Sequence, residues 1–210
     1  MSPRLSKFLG LVLLFLGSIL LVFIFLPVLN QELSYDLKLR PDYVFSPSAP
    51  SSATAEPELT FEKTLLIPKS SDFALVIPKI GVNEIVFPNV DSGDPAEYLP
   101  VLKKGVAHAK NSSFPGLPGP TFIFAHSTDS FWNISSYNAA FFLLRKLQTS
   151  DDIYIIYKGK QYRYRVAEKR IIDPQSIPTA VSSAGTVLIL QTCYPPGTTL
   201  KRLLLFATPV

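Results

Sequence analysis

The sequence predicts an all-β domain, a sandwich or barrel of seven or eight short strands with one or two helices, held behind a single membrane-spanning segment. Three observations carry that reading. Residues 8–29 form one uncharged apolar run. A stretch rich in Pro and Ser follows it. Beyond that, short runs of branched and aromatic residues alternate with Pro- and Gly-rich turns, the pattern of many short strands.

The apolar run is 22 residues long, which as a helix spans about 33 Å and matches a hydrocarbon core of about 30 Å. Arg4 and Lys7 precede it, and Glu32 and Asp36 follow. The positive flank predicts a cytoplasmic N-terminus and an extracellular C-terminal bulk. A cleaved signal peptide has a shorter apolar core and a small-residue exit; the exit here reads Leu-Pro-Val-Leu-Asn-Gln. The expected organisation is therefore a cytoplasmic N-terminus over 1–7, an uncleaved anchor over 8–29, an extended spacer over 30–60 and a folded domain over 61–210. Ser46 to Ala55 of the spacer have little to bury and repeated Pro to keep them extended.

The 210 residues suffice for one domain with a substantial core and not for two ordinary ones. Hydrophobic residues make up 47% and charged residues 17%, below the roughly 25% charged of soluble domains. A formal net charge of +4, with the basic residues scattered, argues against a nucleic-acid binder. One Cys excludes an internal disulfide framework, and two His leave little to hold a metal.

In chain order, Phe73 to Val82 is a strand signal interrupted by Pro78, and Glu84 to Phe87 is a second; their Pro and Gly predict edge or bulge positions. Residues 94–103 predict a short helix with Ala96, Leu99 and Leu102 on its apolar face. Thr121 to Ala125 is a compact strand. Residues 137–148 predict a helix with Ala140, Phe141, Leu144 and Leu147 inward. Ile153 to Tyr157 and Gln161 to Val166 predict a hairpin about Lys158-Gly159-Lys160. Val187 to Leu190 and Leu203 to Ala207 are further apolar strands, separated by a Pro-Pro-Gly passage.

The residues that carry chemistry stand at strand ends. Cys193 closes a predicted core strand, His126 ends another, and Arg202 opens the next strand, where a hairpin returns it beside the cysteine. A free thiol is only a few per cent ionised at neutral pH; a neighbouring imidazole or guanidinium raises its reactive fraction, and the imidazole can protonate a leaving amine. The guanidinium can hold a developing oxyanion. A single cysteine is also a common buried apolar residue, and the residues alone leave both readings open.

The passage Val187-Leu-Ile-Leu-Gln-Thr-Cys-Tyr-Pro-Pro-Gly197, followed by Thr198-Thr-Leu-Lys-Arg202, resembles the signature around the catalytic cysteine of the sortases, membrane-anchored cysteine transpeptidases. Gly105-Val-Ala-His108, Phe114-Pro-Gly116 and Phe122-Ile-Phe-Ala-His126 resemble other blocks of that family, in its order. The likeness runs from about residue 71 to 207. It departs at Ala125 and Ser127, where the family has Gly before the histidine and often Arg or Asn after it, and at Pro120-Thr121, where it has Asn or Asp.

The resemblance implies a closed β-barrel of about eight strands with short helices. It implies cleavage of a Leu-Pro-x-Thr-Gly-like C-terminal sorting signal between Thr and Gly, then acyl transfer to an amine of a peptidoglycan precursor or a pilin lysine. Cys193 takes the place of the nucleophile, His126 of the general acid and base, and Arg202 of the substrate-orienting and oxyanion-holding residue. No cofactor is implied. Some relatives bind calcium near the substrate loop; the carboxylates there are Glu168 and Asp173, with Asp91 and Asp94 across the site, and solvated turn carboxylates are the other reading. His108 reads as structural or as substrate rim, Thr192 as support beside the thiol, and Tyr194 and Trp132 as core or rim. One N-terminal anchor and Thr-Cys-Tyr-Pro look most like the general-purpose or sporulation-associated branches, although Asp42-Tyr43 has some likeness to the lid of pilin-polymerising relatives. The alternatives are a catalytically silent, membrane-tethered peptide-binding barrel and an L,D-transpeptidase, whose Ser-x-Gly-Cys signature is missing around Cys193.

Overall fold

A computed structural model describes residues 10–19, 21, 22, 26, 67–127 and 140–210. The first group is helical and exposed. Among the described residues no helix is long and apolar enough to cross a membrane. The expected anchor over 8–29, the spacer and the start of the 61–210 domain lie partly or wholly outside the described residues.

Eight strands close into a barrel in the order β1-β2-β3-β4-β7-β8-β6-β5. They are β1 Phe73–Ile77, β2 Val82–Val90, β3 Val106–Ala109, β4 Thr121–Phe124, β5 Asp152–Tyr157, β6 Lys160–Ile172, β7 Leu188–Tyr194 and β8 Lys201–Pro209. The β2–β3 and β4–β7 pairs are parallel and the rest antiparallel. Closure decides between the sandwich and the barrel that strand count alone left open, and it leaves no sheet edge unpaired.

β1 corrects the expectation of an edge strand: it pairs with β2 on one side and β5 on the other, and all five residues are buried. Pro78 falls just past the strand and opens the 3-10 turn Pro78–Ile80, where its missing N–H costs no ladder bond. Gly81 at φ 68 then reverses the chain. β2 does carry the expected bulge, its register to β3 slipping between Phe87 and Val90 around Pro88. The β5–β6 hairpin turns on Lys158 and Gly159, both at positive φ, as a two-residue hairpin requires.

The helix Pro95–Leu102 is capped by Asp94, which accepts from the Ala96 N–H at 2.9 Å. Its packed face differs from the expectation: Leu102 is buried, Tyr98 and Val101 pack beside it, and Leu99 points outward at 41% exposure. The helix expected over 137–148 is, in its described part, a set of turns ending in the 3-10 helix Leu144–Lys146. Phe141, Leu144 and Leu147 are fully buried; their spacing of three is the 3-10 period, which over so short a stretch also suits an α-helix. The strand Val106–Ala109 and the helix Ile177–Ser182 were not anticipated; the latter is six residues long with Pro178 in its first turn, too short to show a period.

The sheet has two apolar faces. Leu75, Ile77, Ile123, Ala125, Leu188, Leu190, Leu203 and Leu205 fill the interior. Phe122, Phe124, Ile189, Leu204 and Phe206 point outward, and Tyr98 and Val101 of the first helix and Ile177, Ala180 and Val181 of the second pack against that outer layer. Both helices belong to connections between parallel strands, which have to cross a sheet face. The strip of β4 and β7 between them is the floor on which the site is built.

Candidate active site

Parity along the strands places the chemistry. On β7 the even-numbered Leu188 and Leu190 fill the interior, so Ile189, Gln191 and Cys193 share the outer face. Cys193 pairs directly with Arg202 across β7 and β8. On β4, Phe124 is level with Gln191. The ladder runs one residue further, with the Ala125 N–H donating to the Gln191 carbonyl at 3.1 Å. That register sets His126 level with Cys193. Cys193 and Arg202 thus face each other across β7 and β8, and His126, two residues past the end of β4, continues the row on the outer face; all three are half-buried.

Second contacts tie the row down. The Thr192 hydroxyl, 2% exposed, donates to the Ala125 carbonyl at 3.0 Å, linking the residues that precede the cysteine and the histidine. Phe141 N–H donates to the His126 carbonyl at 3.2 Å. Arg202 Nη1 donates to the Thr199 carbonyl at 2.9 Å and the Lys201 carbonyl at 3.1 Å, fixing the guanidinium at the strand's start. Burial pushes the Cys193 thiol above its ordinary value, and the facing Arg202 charge works against that rise. At rest the thiol is therefore held mainly protonated, in a position where a cation favours its ionised form. Ala125 has no positive φ, so an alanine serves where the family has glycine. Ser127 is buried, and its hydroxyl has no partner among the described residues.

His108 lies elsewhere. It pairs with Ile123 on β3 and β4, is fully buried and packs between Phe114, stacked at 4.5 Å, and Phe73 at 5.7 Å. Its tautomer follows from its partners. The Ser112 hydroxyl donates to the Ala109 carbonyl. Nε2–H is then left to donate to the Ser113 carbonyl at 3.1 Å and to the Ser112 oxygen at 3.0 Å, while Nδ1 accepts from the Asn89 N–H at 3.4 Å. Burial lowers its pKa, and the ring is neutral. Tyr194 is half-buried against the interior cluster. Trp132 lies outside the described residues.

The four carboxylates considered for calcium each have a protein contact. Glu168 pairs with Arg170, and Asp173 with Lys201 at 2.7 Å. Asp91 accepts from Gly93 N–H, and Asp94 caps its helix. No three His, Cys, Asp or Glu side chains converge to hold a metal among the described residues. One position on the same face escaped the sequence reading: Gln191, whose outward parity with Cys193 was available in the i, i+2 spacing.

A closed barrel with a cysteine, a histidine and an arginine in one outward row has the form of a cysteine transpeptidase. The family model described as the sortase domain matches residues 75–210, more than half of the chain, and the chain belongs to the sortase family. Among solved structures it is similar to sortase C-1 from Actinomyces oris at 25% identity, covering 66% of this chain and 73% of that one with a TM-score of 0.55. It is also similar to a lid mutant of sortase A from Corynebacterium diphtheriae at 22% identity, covering 67% and 70% with a TM-score of 0.54. Sortase C from Clostridium perfringens with the C-terminal cell wall sorting motif matches at 22% identity, covering 65% and 69% with a TM-score of 0.53. The two likenesses at 22% are likenesses of fold. No curated protein matches the chain.

Proposed function

We propose that this transpeptidase is anchored by residues 8–29 with its barrel outside the cell, and that it cleaves a Leu-Pro-x-Thr-Gly-like sorting signal between Thr and Gly. The observation that carries the reading is the single row of His126, Cys193 and Arg202 across β4, β7 and β8. The solved sortase C structure with the C-terminal cell wall sorting motif supports the substrate class by analogy of fold.

Cys193 Sγ, as thiolate, attacks the Thr carbonyl carbon. The carbonyl oxygen becomes an oxyanion beside the Arg202 guanidinium, whose fixed placement gives it more value for developing charge than a mobile cation would have. The C–N bond breaks as His126, protonated, gives its proton to the departing glycine nitrogen, leaving a thioester on Cys193. An incoming amine then loses a proton to His126 and attacks the thioester, expelling the thiolate. The amine is that of a peptidoglycan precursor or a pilin lysine. Every step uses a nucleophile, a proton shuttle and an oxyanion partner from this chain, so the reaction runs without cofactor or metal. Thr192 serves as a positioning residue, and His108 as structure.

The test incubates the full chain in detergent micelles with fluorogenic Leu-Pro-x-Thr-Gly peptides, with and without added amine. Release of the C-terminal fragment and amine-dependent product are expected for the parent, and neither for Cys193→Ala. Selective binding of the peptides with no fragment released would favour the silent-barrel reading.

A further inference from the structure

We propose that Gln191 is a substrate-reading residue, its carboxamide pairing with a main-chain amide of the bound peptide next to the bond that Cys193 attacks. The inference rests on the transpeptidase reading above and deepens it.

The outer face of β4, β7 and β8 offers six positions in the two rows below the His126–Cys193–Arg202 row. They are Phe124, Gln191 and Leu204, then Phe122, Ile189 and Phe206. Five are apolar and buried, from 0% exposed at Leu204 and Ile189 to 6% at Phe206. Gln191 alone is polar, and it is half-buried between the closed positions of Phe124 and Leu204. It therefore marks where the outer layer opens. Its side chain makes no hydrogen bond among the described residues. Neither of its amide atoms is among the buried, unpartnered polar atoms, so the carboxamide meets solvent at this opening and is available to pair with a chain laid over the floor.

Geometry names that arrival. Gln191 and Cys193 are two residues apart on one face, so their backbones are separated by about 6.6 Å along the strand. An extended peptide whose scissile carbonyl lies at Sγ advances at about the same rise, which brings an amide one or two residues from that carbonyl over Gln191. A primary amide is both donor and acceptor, the complement of a peptide unit's C=O and N–H. Reading the main chain constrains the peptide's register on the floor without selecting a side chain, and register is what puts the scissile carbonyl on the thiolate.

The experiment is an ester scan on the full chain. The fastest peptide of the Leu-Pro-x-Thr-Gly series is made with one amide at a time replaced by an ester, ahead of Leu, at Pro–x and at x–Thr. Each is turned over by the parent and by Gln191→Met, which keeps the length of the side chain and loses the amide. Gln191→Met is expected to label at Cys193 with a small electrophile within about two-fold of the parent. Its kcat/KM on the all-amide peptide should fall by about ten-fold, chiefly through KM, the size of a neutral hydrogen bond. One ester should cost the parent about ten-fold and cost Gln191→Met less than about two-fold, the coupling that a structural role does not produce. Gln191→Leu, which also removes the amide, provides the same comparison if the Met variant melts below the parent. Equal ester losses in parent and variants, with the parent active, would overturn the role of Gln191 and leave the transpeptidase reading standing. A parent that turns over no peptide and forms no adduct would overturn both.

Discussion

Replacing Thr192 by Val keeps the shape of the side chain and removes one hydrogen bond, the 3.0 Å contact from its hydroxyl to the Ala125 carbonyl. At 2% exposure water cannot take the hydroxyl's place. The loss is then that of a neutral buried hydrogen bond plus the desolvated carbonyl left behind, together about 1–3 kcal/mol. For a domain near 140 residues this lowers the melting temperature by about 3–10 °C. The bond joins the residue before Cys193 to the residue before His126, so its loss loosens the spacing between thiol and imidazole. Misplacement of reacting groups by about 1 Å can cost 10²-fold, and a fall of about ten-fold in kcat with little change in KM is expected. Thr192→Ser, which keeps the hydroxyl and loses a methyl worth about 0.8 kcal/mol, should recover most of the kcat but not all of the stability. Differential scanning calorimetry and steady-state turnover measure both. A Val variant that melts and turns over like the parent would refute the reasoning.

Labelling of Cys193 by a small electrophile should keep accelerating with pH beyond the point where a free cysteine levels off, because burial raises the thiol's pKa. Arg202→Gln should slow labelling at neutral pH, since the facing charge favours the thiolate; stopped-flow labelling across pH checks both signs. His108 is buried neutral, so below its ordinary value of 6.5 the unfolded chain takes up a proton that the fold refuses, and stability falls with falling pH. In His108→Gln, melts between pH 5 and 7 should show a shallower fall than the parent. Gly116 sits at φ +85 with the Tyr162 ring 2.6 Å from where a Cβ would be; Gly116→Ala should cost about 1–3 kcal/mol in a denaturant titration.

Much of this barrel was readable because its strands are short apolar runs bounded by Pro and Gly, and the β5–β6 hairpin was readable to its turn residues. Strand ends were the useful signal for the site: Cys193, His126 and Arg202 all stand where a strand meets a turn, and the register of β4, β7 and β8 converts that into one row. Closure was not readable, because the pairing of β1 with β5 joins residues about 80 positions apart and leaves no local pattern. Pro78 misled for a related reason: it marks the end of β1, which pairs locally with β2 on one flank and at a distance with β5 on the other. The 3-10 turn at Leu144 was read as α-helix because three residues spaced by three suit either period over so short a stretch. Gln191 passed unnoticed inside the Leu-Gln-Thr-Cys sequence, since its setting among Phe124 and Leu204 comes from neighbouring strands.

The central claim is that Cys193 carries the acyl group between cleavage and transfer. Intact-protein mass spectrometry of the full chain, quenched during turnover of a Leu-Pro-x-Thr-Gly peptide, tests it most directly. The account predicts a mass gain equal to the acyl fragment ending at Thr, located on Cys193, lost within one turnover when an amine is added and never seen in Cys193→Ala. Product formation without any adduct, or an adduct that persists in Cys193→Ala, would contradict it.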